Sequence, residues 1–243
     1  MKIKLGFLVF FLVISITAFA FGQEEWKANA GFSGIVNTGN AENTTFGGNS
    51  LVSYKFDQNQ FTWTAEGAYG RSKNAGVTQT NTKNWKTLLR YDRFVSDPMS
   101  IFTFGHIGQN IPGGFDLRYG AALGLAHYLL QNDNSSFKYE AGYDFTREER
   151  VGVADANIHS GRLYLQFTHK LNANVYFAQD VESLFNLQIA EDIRLNTLTS
   201  LNVNLTEKMA FQVGYQVRFD NQPVSGFKEI DTLTQMGLNV NFL

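Results

Sequence analysis

Gln235-Met236-Gly237-Leu238-Asn239-Val240-Asn241-Phe242, followed by Leu243, is the stretch whose reading decides the fold. Met236, Leu238, Val240 and Phe242 share one face, and Gln235, Gly237, Asn239 and Asn241 share the other. Strict alternation over this length marks a strand with one apolar and one polar side. Such a strand at the end of a chain needs a partner sheet for its apolar face, unless that face meets lipid. A closed transmembrane barrel supplies the second situation, because its last strand pairs with its first and leaves no edge. The competing reading is an ordinary amphipathic edge strand.

The same segment resembles the C-terminal signal by which outer-membrane barrels are recognised for assembly. The residues that carry it are Gln235, Gly237, Val240 and Phe242, with Leu243 as one residue beyond the usual aromatic end. The resemblance implies a meeting with the barrel-assembly machinery during biogenesis.

The whole composition agrees with an all-β chain. Phe at 22, Tyr at 10 and Gly at 22, against 3 Pro, favour strands over helices. Mean hydropathy is slightly negative, so no helical membrane bundle is hidden in the chain. A formal net charge of -2 offers nothing to nucleic acid. The absence of Cys rules out thiolate metal sites, disulfides and a lipobox.

Lys2 and Lys4 precede an apolar run from Leu5 to Thr17, and Ala18-Phe19-Ala20 or Ala20-Phe21-Gly22 offers small residues for cleavage. This order predicts a secretory signal over residues 1–22, removed on export. An uncleaved membrane anchor is the alternative. The expected mature unit is a barrel over residues 23–243.

Beyond Gln23 the chain divides into about twelve amphipathic segments, each near the length of a tilted transmembrane strand. The clearest runs from Phe137 to Thr146: Phe137, Tyr139, Ala141, Tyr143 and Phe145 alternate with Lys138, Glu140, Gly142, Asp144 and Thr146. The least clear is Ile101 to Gln109, where Phe102 and Phe104 alternate against Ile101 and Ile107. With the N-terminus in the periplasm, short turns are expected at 57–60, 95–100, 131–136, 172–174 and 206–208. Longer outer loops are expected at 72–82, 110–116, 147–157, 186–192 and 220–229, with a short first outer turn after Thr38. Pro98, Pro112 and Pro223 all fall in connections, where they remove no ladder bond. Phe56, Phe61, Trp63, Tyr91, Phe94, Phe137, Tyr139, Phe177, Phe211 and Phe242 lie near the expected periplasmic ends and predict an interfacial girdle.

Asn37-Thr38-Gly39-Asn40, Tyr91-Asp92-Arg93-Phe94, Leu117-Arg118-Tyr119-Gly120 through Gly124, and Glu140-Ala141-Gly142 carry a further resemblance. With these motifs the mature chain resembles the YdiY-like family of salt-induced outer-membrane proteins, also catalogued as domain of unknown function 481. The resemblance implies an outer-membrane barrel and hands over no substrate and no functional residues.

The polar faces hold the candidate lumen-lining residues: Glu66, Asp92, Glu140, Asp144, Asp180 and Glu182, with Lys86, Arg90, Arg118, Lys138, Arg162, Arg194 and Arg218. The signs nearly balance, which predicts ion pairs across a narrow lumen rather than an anion-selective lining. Asp144, Glu148 and Glu149 near a loop are a weak cation candidate, and solvated loop charge is the plainer reading. For lipid hydrolysis, a Ser and a His must share a face. His159 and Ser160 are adjacent and so point apart. No catalytic, metal or cofactor residue is assigned. The expectation is a monomeric outer-membrane barrel, partnered by lipid, with a structural or stress-related envelope role or a narrow porin activity. A lipid-active barrel enzyme is the alternative.

Overall fold

The computed structural model describes residues 24–37, 42–74 and 77–242. Residues 1–23, which include the predicted signal, residues 38–41, which hold most of the turn predicted at 39–43, residues 75–76 and Leu243 lie outside the described residues. Twelve antiparallel strands close into one barrel. They are β1 (Glu24–Asn37), β2 (Glu42–Phe56), β3 (Asn59–Asn74), β4 (Val77–Ser96), β5 (Met99–Asn110) and β6 (Phe115–Gln131), then β7 (Ser135–Arg150), β8 (Ala156–Lys170), β9 (Val175–Asn186), β10 (Ile193–Asn204), β11 (Met209–Asp220) and β12 (Ile230–Asn241). Each pairs with its chain neighbours, and β12 returns to β1 with Asn29 opposite Asn241 and Ser33 opposite Gly237. Closure gives every strand two partners, which a spanning sheet needs where no water reaches the backbone.

The connections sort by parity into a turn end and a loop end. At the turn end Asp57 adopts a φ of 49°, a left-handed conformation that Asp tolerates better than most residues. Asn132 and Asn172 each accept backbone N–H bonds two and three residues on, at 2.8–3.0 Å, and so close two of the other turns.

Lipid-facing aromatic rings gather at the turn end. Trp26, Tyr54, Phe56, Phe61 and Tyr91 form one continuous row across β1 to β4, with successive ring centroids 4.3, 5.1, 6.3 and 5.0 Å apart. Phe167 and Phe177 continue it on β8 and β9. Phe94 is a correction to the predicted girdle. It stands opposite buried Ser100, on the inner face, with the Lys55 amine 4.9 Å from its ring.

A second correction concerns the polar stretch 72–82. Its described residues, 72–74 and 77–82, are strand and not loop: β3 runs up to Asn74 and β4 starts at Val77, with a register shift between Gly70 and Arg71. Thr78, Thr80 and Thr82 are good strand formers. Polar side chains cost such a hairpin nothing once it rises clear of the apolar band.

Leu165 faces lipid between Tyr139 and Val181, whereas Gln166 faces inward and bonds Tyr164 and Asp180. Leu165→Arg should therefore destabilise the barrel by about 2–4 kcal/mol, and Gln166→Arg by much less. Heat-modifiability on gels reads the difference, and equal losses would contradict this in/out assignment.

Candidate functional site in the barrel lumen

Arg90 on β4 reaches Glu140 on β7 at 2.9 Å. These strands are three places apart in the ring, so the contact crosses the interior and fixes which face is inner. Direct pairing then places the other candidates. Lys86 and Asp92 share the face of Arg90, and Glu66 stands opposite Lys86. Lys138, Asp144 and Glu148 share the face of Glu140, and Arg118 stands opposite Glu148. Arg162 lies opposite Gly142, Glu182 opposite Tyr164, and Asp180 opposite Gln166. Arg194 lies opposite Leu184 and Arg218 opposite Asn196. The sequence-predicted lumen set thus occupies one continuous inner surface.

Most of that set is tied into two charge clusters. The one nearer the turn end centres on Glu140, which has no exposed side-chain surface and binds Arg90, Lys138 and Arg162 at 2.8–2.9 Å. Arg90 also forks onto Asp92 at 2.6 and 2.7 Å, and Arg162 bonds Glu182 at 2.7 Å. A carboxylate withdrawn from water is tolerable when cations surround it this closely.

Phe102 and Phe104, left unassigned by the alternation, point inward and are 1 % and 7 % exposed. The guanidinium of Arg90 lies 4.4 Å from the Phe102 ring, and that of Arg162 lies 5.1 Å from Phe104. Their placement depends on β6, whose inner face is Gly120, Ala122, Gly124 and Ala126. A Cβ on Gly124 would stand 2.8 Å from Phe102 Cζ. The sequence signal for these rings was that strip of small residues on the next strand.

The second cluster lies toward the loop end. Glu148, also fully buried, binds Arg118 at 2.7 Å, Arg150 at 2.7 Å and Arg194 at 2.5 Å. Arg194 further faces Asp192 and Asp220 at 3.4 and 3.3 Å. The weak cation candidate dissolves here: Glu148 is occupied by arginines, and Glu149 falls on the opposite face by parity. His159 meets Tyr143 Oη on the lipid side, while Ser160 is buried on the inner side, so the two do not meet.

Above the second cluster a strap crosses the mouth. The segment between β11 and β12 carries Val224, 4 % exposed, and Phe227. A Cβ on Gly114, between β5 and β6, would stand 3.1 Å from both. Those two connections are six strands apart around the ring, so the segment spans the opening. Gly114 is suited to the contact by its lack of a side chain and its φ of 86°. Asn221 holds one end, accepting from Ile193 N at 2.7 Å and donating to the Glu191 carbonyl.

Three inner-face residues behave differently. Asn49, Glu66 and Lys86 are exposed although they point inward, and among the described residues Glu66 and Lys86 form no ion pair. The inner face of β1, β2, β11 and β12 beside them is largely amide and hydroxyl: Ser33, Asn49, Gln212, Gln235 and Asn239. The charged clusters thus fill the β4–β10 side and leave a polar lane along the other. Glu140→Ala, which strands three cations, should cost about 3–5 kcal/mol in urea unfolding from detergent. Glu66→Ala should stay within about 0.5 kcal/mol. Similar losses for both would mean that Glu66 is also engaged.

Comparison with solved structures gives the same architecture. The "NanC porin structure in rhombohedral crystal form" superposes with a TM-score of 0.53 at 13 % identity, covering 89 % of this chain and all of that one. The translocator domain of autotransporter NalP from Neisseria meningitidis gives 0.47 at 13 % identity over 92 % of this chain and 89 % of its own. At 13 % identity the first likeness is one of fold. A search of curated proteins finds no match. The family described as "Protein of unknown function, DUF481" matches residues 30–242, and this twelve-stranded barrel belongs to that family.

Proposed function

We propose that this protein is a narrow channel of the bacterial outer membrane that passes small hydrophilic solutes along the β1–β3 and β11–β12 wall. The observation that carries the reading is the exposure of Asn49, Glu66 and Lys86 on the inner face. Side chains packed into a filled lumen would be covered. The ion-paired half narrows the bore, as a barrel of this strand number permits. Because its charges pair, the channel should discriminate little between small cations and anions.

In planar bilayers the purified protein should give small ohmic steps of near-equal cation and anion permeability. Glu66→Lys should shift the reversal potential toward anion preference. Shortening the strap at 222–228 should raise the conductance or the time spent open. Silence from correctly folded protein would favour a structural envelope barrel instead, a reading supported by the full burial of Glu140 and Glu148.

The same reading makes Gln235, Gly237, Val240 and Phe242 the signal read by the barrel-assembly machinery. Phe242 N bonds the Ala28 carbonyl at 2.8 Å, so the end of the chain is tied to β1. Deleting Phe242 with Leu243 should sharply lower outer-membrane yield at matched expression, and deleting Leu243 alone should not. The opposite ranking would move the signal elsewhere.

A further inference from the structure

The ring is complete in order but not in height. β12 pairs with β11 along its whole length, from Ile230 opposite Phe219 to Val240 opposite Met209. On its other edge it pairs with β1 only from Gly237 to Asn241. β1, in turn, pairs with β2 all the way to Asn37. Among the described residues the β1–β12 ladder therefore ends at Ser33 opposite Gly237. Residues 34–37 of β1 and residues 233–236 of β12, which come next in register, are not paired with each other. This gap lies in the loop-end half of the wall, where an unsatisfied strand edge is costly if only lipid meets it.

A cavity of about 20 Å³, room for a water, sits where the ladder stops. Its lining comes from both sides of the wall. Phe32 and Met236 are lipid-facing and 64 % and 53 % exposed. Asn49, Gln212, Gln235 and Asn239 are on the lumen side. The notch thus sits within the barrel wall, with apolar residues on its outer side and amides on its inner side, and none of its lining residues is charged. The axial route at this end is crossed by the strap and by the cluster around buried Glu148, so the notch offers a sideways way out of the polar lane.

We propose that the β1–β12 notch is a lateral portal through which a neutral, single-chain amphiphile passes between the lumen and the outer leaflet. The polar head would bond the amides of Asn49, Gln212, Gln235 and Asn239, and the alkyl chain would lie between Phe32 and Met236. A charged head group would find no partner there. At its present size the notch admits only water, so passage requires a further rung or two of the ladder to part. Gly31 and Gly237 flank that point, and glycine weakens strand pairing. The portal goes beyond the channel reading and does not depend on axial conduction.

The test uses the full barrel in liposomes, with bimane on Glu66→Cys as a lumen reporter; the chain has no Cys of its own. The probe is a fatty alcohol carrying a nitroxide on its chain, added to the lipid. It should quench the bimane. Gly34→Cys with Met236→Cys, the pair next in register beyond Ser33 and Gly237, is oxidised before labelling to draw that rung together. Quenching should then fall to the level of probe without access, and return on reduction. If the disulfide does not form, Met236→Trp, which fills the notch from the lipid side, should have the same effect. Iodide in the aqueous phase should quench with or without closure. Absence of nitroxide quenching, or quenching indifferent to both closures, overturns the portal. Loss of iodide quenching alone, with nitroxide quenching intact, supports the portal and counts against the axial channel.

Discussion

Every peptide group in the apolar band of this protein must find its hydrogen bond within the protein, and that constraint organises the molecule. It is why twelve short amphipathic segments join into one ring, and why the last strand returns to the first. It also explains where charge can go. The outer wall is committed to lipid, so carboxylates and guanidinium groups of alternate residues are driven into the interior. There they are removed from bulk water and have to satisfy one another.

The interior meets that demand unevenly. Glu140 and Glu148, each surrounded by three cations, anchor two clusters on the β4–β10 side. Phe102 and Phe104 fill the space between the strands and the guanidinium planes, where the flat cation and the ring face attract each other. The opposite wall carries amides and hydroxyls, which need no partner cluster and can stay wet. The contrast between a packed, ion-paired side and a less crowded side rich in amides and hydroxyls is what the proposed lane rests on. The weak point of the ring, the short β1–β12 ladder, lies on the less crowded side. A strand edge there loses least, because lumen water and nearby amides can reach it.

Much of this was legible along the chain. Alternation in β7 and β12, prolines confined to connections and aromatic rings near one set of strand ends specified a lipid-facing barrel. They also specified which side chains are inner. Parity alone sends Phe94 inward, so the corrected girdle was available in the sequence. The strand nature of 72–82 was harder to see. Outside the apolar band a strand no longer has an apolar side, and the alternation that reveals strands disappears.

The sequence by itself determined the strand number, the inner and outer faces and the near-balance of lumen charge, because a period of two follows directly from backbone geometry. Tertiary structure alone decided which charges meet. Arg90 and Glu140 are 50 residues apart in the chain, and only the shear and closure of the ring bring them to 2.9 Å. It also decided that the segment after β11 reaches across to Gly114, and that the β1–β12 ladder stops at Ser33. These features depend on distances across the ring, and no local pattern encodes them.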